Sequence, residues 1–119
     1  MEIVEPRYKN DLEDRFLKFA KDVREYVKRL PKTMTNFEYA KQLIRSSGSV
    51  GANYIESREA LGTKDQRMRI RISRKEAKES RYWLELTEPT SENEFERARL
   101  KDEATQFIRI FTAILTKLL

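Results

Sequence analysis

Apolar residues recur along this chain at intervals of three and four, interrupted at a few points by proline or glycine, which is the spacing of helices with one buried face. Four such stretches follow one another. The first, over about 10–30, carries Leu12, Phe16, Phe19, Val23, Tyr26, Val27 and Leu30 on one stripe and stops at Pro31. The second, about 36–60, is expected to turn Phe37, Ala40, Leu43, Ile44, Ser47, Gly51, Tyr54 and Ile55 inward, with Gly62 at its end. The third, about 64–87, uses Met68, Ile72, Trp83 and Leu86 and is closed by Pro89. The fourth, about 92–118, uses Leu100, Ala104, Phe107, Phe111, Ile114, Leu115 and Leu118.

Each stretch has a start signal, a capping side chain three residues ahead of a Glu or Gln: Asn10 with Glu13, Thr35 with Glu38, Thr63 with Gln66 and Ser91 with Glu94. Helices of this length joined by short loops favour antiparallel neighbours. The expected fold is therefore all-α, an antiparallel up-down-up-down four-helix bundle forming one domain over residues 1–119. Residues 1–9 are expected to form a partly ordered N-terminal arm, with Ile3, Val4 and Tyr8 available to dock on the bundle.

The second stretch departs from ordinary helix composition. Ser46, Ser47, Gly48, Ser49, Gly51 and Ala52 fall together, and Gly or Ser inside a helix costs roughly 0.5–1 kcal/mol relative to Ala. A chain that keeps several of them needs two backbones close together there.

Composition narrows the chemistry. The chain has no His and no Cys, which removes imidazole-based hydrolysis, the Glu-x-x-His pairs of bundle di-metal sites, thiolate metal sites and disulfides. No glycine-rich phosphate loop of the G-x-x-x-x-G-K-[ST] kind occurs. The expectation is a non-enzymatic protein without cofactor or metal. No stretch reaches the ~20 apolar residues of a membrane span, and the first residues lack a basic region followed by an apolar run, so a cytoplasmic location is expected. Lys and Arg total 25 against 20 Asp and Glu, a net charge of +5 that suits an anionic partner if the cations cluster.

They do cluster. Arg67, Arg71, Arg74, Lys78 and Arg81 follow at steps of 4, 3, 4 and 3 along the third helix, with Lys64 to one side, as a row expected on the face away from the core. Cations in one row repel, and phosphates relieve the repulsion, so RNA or DNA backbone is the leading partner for these six residues. A subunit interface supplying acids, or a plain solvated face, are the alternatives. On the expected inner side of the same helix lie Glu76 and Glu79, which need partners if buried; Arg45, Arg58, Asn53, Tyr54 and Ser80 are the candidates. A structural ion-pair network is the plain reading, and a carboxylate-only metal site of Glu56, Glu76 and Glu79 the sharper one. In the fourth helix Ile108, Ile110 and Leu119 lie outside the main apolar stripe, as candidates for an oligomer interface.

The segments Gln42-Leu-Ile-Arg45-Ser-Ser-Gly-Ser49-Val-Gly51-Ala-Asn53-Tyr-Ile-Glu56 and Lys75-Glu76-Ala-Lys-Glu79-Ser-Arg-Tyr82-Trp83-Leu84 resemble the four-helix-bundle family associated with intervening sequences of bacterial 23S rRNA genes, with similarity over about 34–118. The resemblance implies a left-handed bundle assembled as a ring-like homopentamer, kinship to the basic accessory protein of diversity-generating retroelements, and no catalytic activity. It carries over Arg45, Ser49, Asn53 and Glu56 on the second helix and Glu76, Glu79 and Trp83 on the third, and of these Arg45, Ser49, Asn53, Glu56, Glu76 and Glu79 are expected to form a structural polar network. One departure is the start of the third helix, Gly62-Thr-Lys-Asp65-Gln66-Arg67, which lacks the apolar anchor of a Ser-Lys-Lys-Asp-Phe sequence. From sequence, then, the chain is a self-associating bundle that binds nucleic acid, or a scaffold that recruits another protein through its oligomer surface.

Overall fold

The computed structural model describes residues 7–119, with side chains from residue 11 onward. Four long helices make up almost all of it: α1 (Arg7–Lys28), α2 (Met34–Arg58), α3 (Thr63–Leu86) and α4 (Glu94–Lys117), the last preceded by a single 3-10 turn at Ser91–Asn93. Cross-helix bonds fix their directions. Arg45 near the start of α2 meets Glu76 and Glu79 late in α3, while Asn53 further along α2 meets Arg69 early in α3. Arg74 and Arg81 of α3 meet Thr112 and Thr105 of α4 in the same reversed order, and Arg15 and Asp22 of α1 meet Glu103 and Arg99 of α4. Each helix thus runs against its neighbours, as an up-down-up-down bundle requires.

The centre is aromatic. Phe16 lies edge-on to Phe107 at 4.8 Å and to Tyr54 at 5.1 Å, and stacks on Phe111 at 5.1 Å, so one ring touches α2 and α4 at once. Phe19, Val23, Leu43, Val50, Ile70, Leu84 and Leu100 complete the core around it. At Gly51 a Cβ would come within 3.1 Å of the Cβ of Phe16, so glycine there admits the α1 side chain. The need for close approach expected from the small-residue run is therefore met at Gly51, whereas Gly48 faces open space.

Several local expectations are corrected. All four expected caps are displaced. Asn10 lies inside α1, which begins at Arg7, so residues 7–9 are helix rather than arm; Ile3, Val4 and the Tyr8 side chain lie outside the described residues. The N-cap of α2 is Thr33, whose hydroxyl accepts from the Asn36 amide at 3.2 Å, instead of Thr35. Gly62 caps the start of α3 rather than the end of α2, which closes at Glu59, and Thr63 is the first helical residue. Ser91 opens the 3-10 turn, and Asn93 precedes α4. Several polar residues near each start could take the cap, and packing chooses among them.

Phe37, Ile44 and Ile55, expected inside, are exposed. The buried face of α2 is Leu43, Ser46, Ser47, Val50, Tyr54 and Ser57, and that of α3 is Ile70, Ser73, Glu76, Ala77, Ser80 and Leu84. Met68 is exposed, and Ile72, Trp83 and Leu86 are half-buried. Small faces small across this pair: Ser73 Oγ donates to Val50 O at 2.9 Å and Ser80 Oγ to Ser46 Oγ at 2.9 Å. The bonds satisfy buried hydroxyls while the backbones approach, so the interface is built from residues that apolar counting overlooks.

One buried polar side chain joins the loops at this end of the bundle. Asn36 donates to Pro31 O and Glu88 O, both at 3.0 Å, and accepts from the Glu88 amide at 2.8 Å. Removing it in Asn36→Ala leaves these backbone groups without their partner, so the urea midpoint should fall by an amount equivalent to about 2 kcal/mol or more. A midpoint unchanged within error would mean that water replaces all three bonds.

A candidate nucleic-acid interface along the third helix

Because α3 buries Ile70, Ser73, Ala77, Ser80 and Leu84, it is turned by roughly a third of a revolution from the orientation expected of Met68, Ile72, Trp83 and Leu86. The cationic row consequently borders α4 instead of pointing directly away from the core. Arg71 and Lys78 are exposed, Arg67, Arg74 and Arg81 are half-buried, and Lys64 is exposed in the first turn. Arg74 Nη1 donates to Thr112 Oγ1 at 3.2 Å, and Arg81 Nη1 to Thr105 Oγ1 at 3.1 Å. These hydroxyls hold two guanidinium groups against the seam without neutralising them.

Among the described residues none of Lys64, Arg67, Arg71, Arg74, Lys78 and Arg81 has a carboxylate within ion-pair distance. Elsewhere arginine is commonly paired: Arg15 with Glu103, Arg45 with Glu76 and Glu79, Arg58 with Glu13, Arg97 with Glu94, and Arg99 with Asp22 and Glu96. Glu85, which lines a cleft with Lys78 and Arg81, is taken by Lys101, whose hydrogen bond holds its carboxyl below the usual range. Along the α3–α4 seam lie two clefts. One, of about 420 Å³, is lined by Lys78, Arg81, Tyr82, Glu85 and Lys101. The other, of about 160 Å³, is lined by Arg67, Arg71, Arg74, Thr112, Leu115, Thr116 and Leu119.

The hydroxyls of α4 were not legible as part of this site from the apolar pattern. Their signal was spacing: Thr105, Arg109, Thr112 and Thr116 step by 4, 3 and 4, the same rhythm as the row they face on α3. That rhythm also puts exposed Arg109 on the seam side of α4 as a further cation.

The polar network assembles in part. Glu76 is 5% exposed, and its Oε2 accepts from Arg45 Nη1 at 2.9 Å; Glu79 Oε1 accepts from Arg45 Nη2 at 2.8 Å. One guanidinium thus grips two carboxylates. The hydrogen bond to Glu76 first, and that to Glu79 after it, hold Arg45 more firmly protonated against the opposing effect of burial. Asn53 donates to Ser49 O at 3.0 Å and accepts from Arg69 at 3.4 Å, which adds Arg69 to the set. Glu56 stays on the exposed outer side of α2, away from the network, and Arg58 serves Glu13 of α1 instead. Ser80 bonds the main-chain oxygen of Glu76, and Tyr54 packs on Phe16, so neither reaches the carboxylates. Among the described residues no group of three or more acids converges, so Glu56, Glu76 and Glu79 do not form a metal cluster.

Of the candidate oligomer residues, Ile108 and Ile110 pack partly against the chain's own core, because α4 touches neighbours on two sides, and Leu119 is exposed. A larger apolar surface lies on α2. Phe37, Ile44, Gly48 and Ile55 fall on one outward face, with Phe37 65% exposed and Lys41 over its ring at 5.0 Å.

The molecule is thus an all-α four-helix bundle whose third helix carries, along its seam with the fourth, a cationic row without a carboxylate partner among the described residues. Residues 9–113 match the profile of the 23S rRNA-intervening sequence proteins, and the chain belongs to that family. A crystal structure of a protein of unknown function from the S23 ribosomal protein family of Bacteroides thetaiotaomicron VPI-5482 is 29% identical, aligns with 87% of this chain and 96% of that one, and superposes with a TM-score of 0.73. No curated protein matches the chain. No described helix is long and apolar enough to cross a membrane.

Proposed function

We propose that this protein is a non-enzymatic, cytoplasmic homo-oligomer that holds RNA or DNA by its phosphate backbone through Lys64, Arg67, Arg71, Arg74, Lys78 and Arg81. One observation carries the reading: the row has no carboxylate partner among the described residues, while most arginines outside α3 do. Uncompensated guanidinium groups in a row favour a polyanion, and their contacts release counterions without reading bases. Self-association is supported by the outward apolar face of α2, where Phe37, Ile44 and Ile55 lie in water in the single chain. A ring of five is the form that the family resemblance suggests.

A second reading, a scaffold that recruits another protein through the oligomer surface, rests on the groove of about 570 Å³ between the end of α1 and the start of α2, lined by Val27, Leu30, Met34, Phe37 and Ala40 among others. Mass by light scattering, with and without a mixed-sequence RNA, separates the two. The proposal expects a multiple of the 14.2 kDa chain that gains RNA mass at low salt and loses it near 200 mM salt. An assembly that takes up no RNA at any salt concentration supports the scaffold.

A further inference from the structure

The cationic row is not uniform, and its end nearest the start of α3 differs from the rest. There Arg67, Arg71 and Arg74 line the cleft of about 160 Å³ together with Thr112, Leu115, Thr116 and Leu119, and no acid is among these lining residues. Arg67 Nε is shut off from solvent and has no acceptor among the described residues. A buried N–H donor left so is uncompensated, and it is satisfied if the side chain turns toward an acceptor seated in the cleft that Arg67 lines. Arg74 is already steered by its bond to Thr112 Oγ1, so part of the donor set is fixed before anything binds. Planar guanidinium groups present paired donors that match the oxygens of a phosphate, whereas ammonium groups act as point charges.

We infer that this cleft is a discrete phosphate-binding subsite, formed by Arg67, Arg71 and Arg74 and shaped by Thr112, which seats one phosphate group and sets where a bound strand enters the row. The inference rests on the nucleic-acid reading for its biological ligand, but not for its existence. The phosphate chemistry has two sources, free phosphate and the backbone of a strand, and the experiment keeps them apart.

Inorganic phosphate is titrated into the full-length protein in excess chloride while the arginine Nε–H resonances are followed by NMR. The expected result is a saturable shift of Arg67, with smaller shifts at Arg71 and Arg74 and none at Arg15 or Arg97. Arg67→Lys, which keeps the charge but removes the Nε donor, should weaken phosphate binding at least fivefold. A parallel titration uses an RNA oligonucleotide lacking terminal phosphates, which should shift the same Arg67 resonance. Uniform shifts across all arginines, or equal phosphate affinity in Arg67→Lys, overturn the subsite and leave the row intact if RNA still binds. Phosphate binding with no RNA binding supports the subsite and overturns the nucleic-acid reading alone.

Discussion

Reversing three charges of the row, in Arg71→Glu, Arg74→Glu and Lys78→Glu together, should abolish RNA binding while leaving the bundle folded. Arg71 and Lys78 are exposed, and Arg74 makes a single side-chain bond to Thr112, so little packing is lost. The binding loss is expected to be large because each phosphate contact contributes through counterion release. A site making six or more such contacts loses roughly a thousandfold in affinity between 50 and 200 mM salt, and converting three contacts into repulsions should cost at least a hundredfold at low salt. The control is an equal change of net charge elsewhere: Lys21→Glu, Arg29→Glu and Lys32→Glu, all exposed and on or just after α1. If the control triple loses RNA as completely as the row triple, binding follows overall charge and the row has no special part. Circular dichroism should show unchanged helicity in both.

That the row could be found without coordinates follows from its physics. A repeat of 4 and 3 places charges on one face of any helix, whatever packs behind it. The orientation of that face was not legible, because it depends on which residues α3 buries. Counting large apolar side chains selects Met68, Ile72, Trp83 and Leu86, but burial goes to Ile70, Ser73, Ala77, Ser80 and Leu84. Serine looks polar in a sequence and becomes a good interface residue only when its hydroxyl finds an acceptor across the gap, as Ser73 does at Val50 O. The same blindness hid Thr105, set between Ala104 and Gln106, and Thr112, set in an apolar run, both of which read as filler until the opposing arginines are placed. Arg45 with Glu76 and Glu79 was legible, since two carboxylates on a buried side demand a cation nearby. Glu56 was misplaced for the converse reason: its place in a family-like segment does not determine which way the helix turns it.

Helix existence was legible from periodicity, and helix starts were not. Near each start several Ser, Thr or Asn residues compete within a few positions, and the difference between Thr33 and Thr35 as a cap is settled by Asn36 being drawn inward to Pro31 and Glu88. Tertiary demand selects among locally equivalent caps.

The largest loss of stability is expected from Phe16→Ala. Phe16 is 1% exposed and contacts Tyr54 of α2 together with Phe107 and Phe111 of α4, so its ring joins three helices. Truncation removes the burial of the ring and leaves a cavity whose walls belong to different helices. Those walls close only if the helices themselves move, which places the cost at the upper end, about 3–5 kcal/mol. For a domain of this size that corresponds to a fall in melting temperature of roughly 12–20 °C. Phe95→Ala removes the same atoms from a site 80% exposed and should change stability by less than about 0.5 kcal/mol. Gly51 sharpens the argument, because its missing Cβ is what lets the Phe16 side chain sit this close to α2. Adding that methyl in Gly51→Ala presses on the same residue from the other side. The contacted atom is the Cβ of Phe16, which Phe16→Ala retains, so the new methyl meets it in either background and the two losses should be close to additive. A double variant that melts well above the additive expectation would mean that α1 and α2 move apart once the ring is gone.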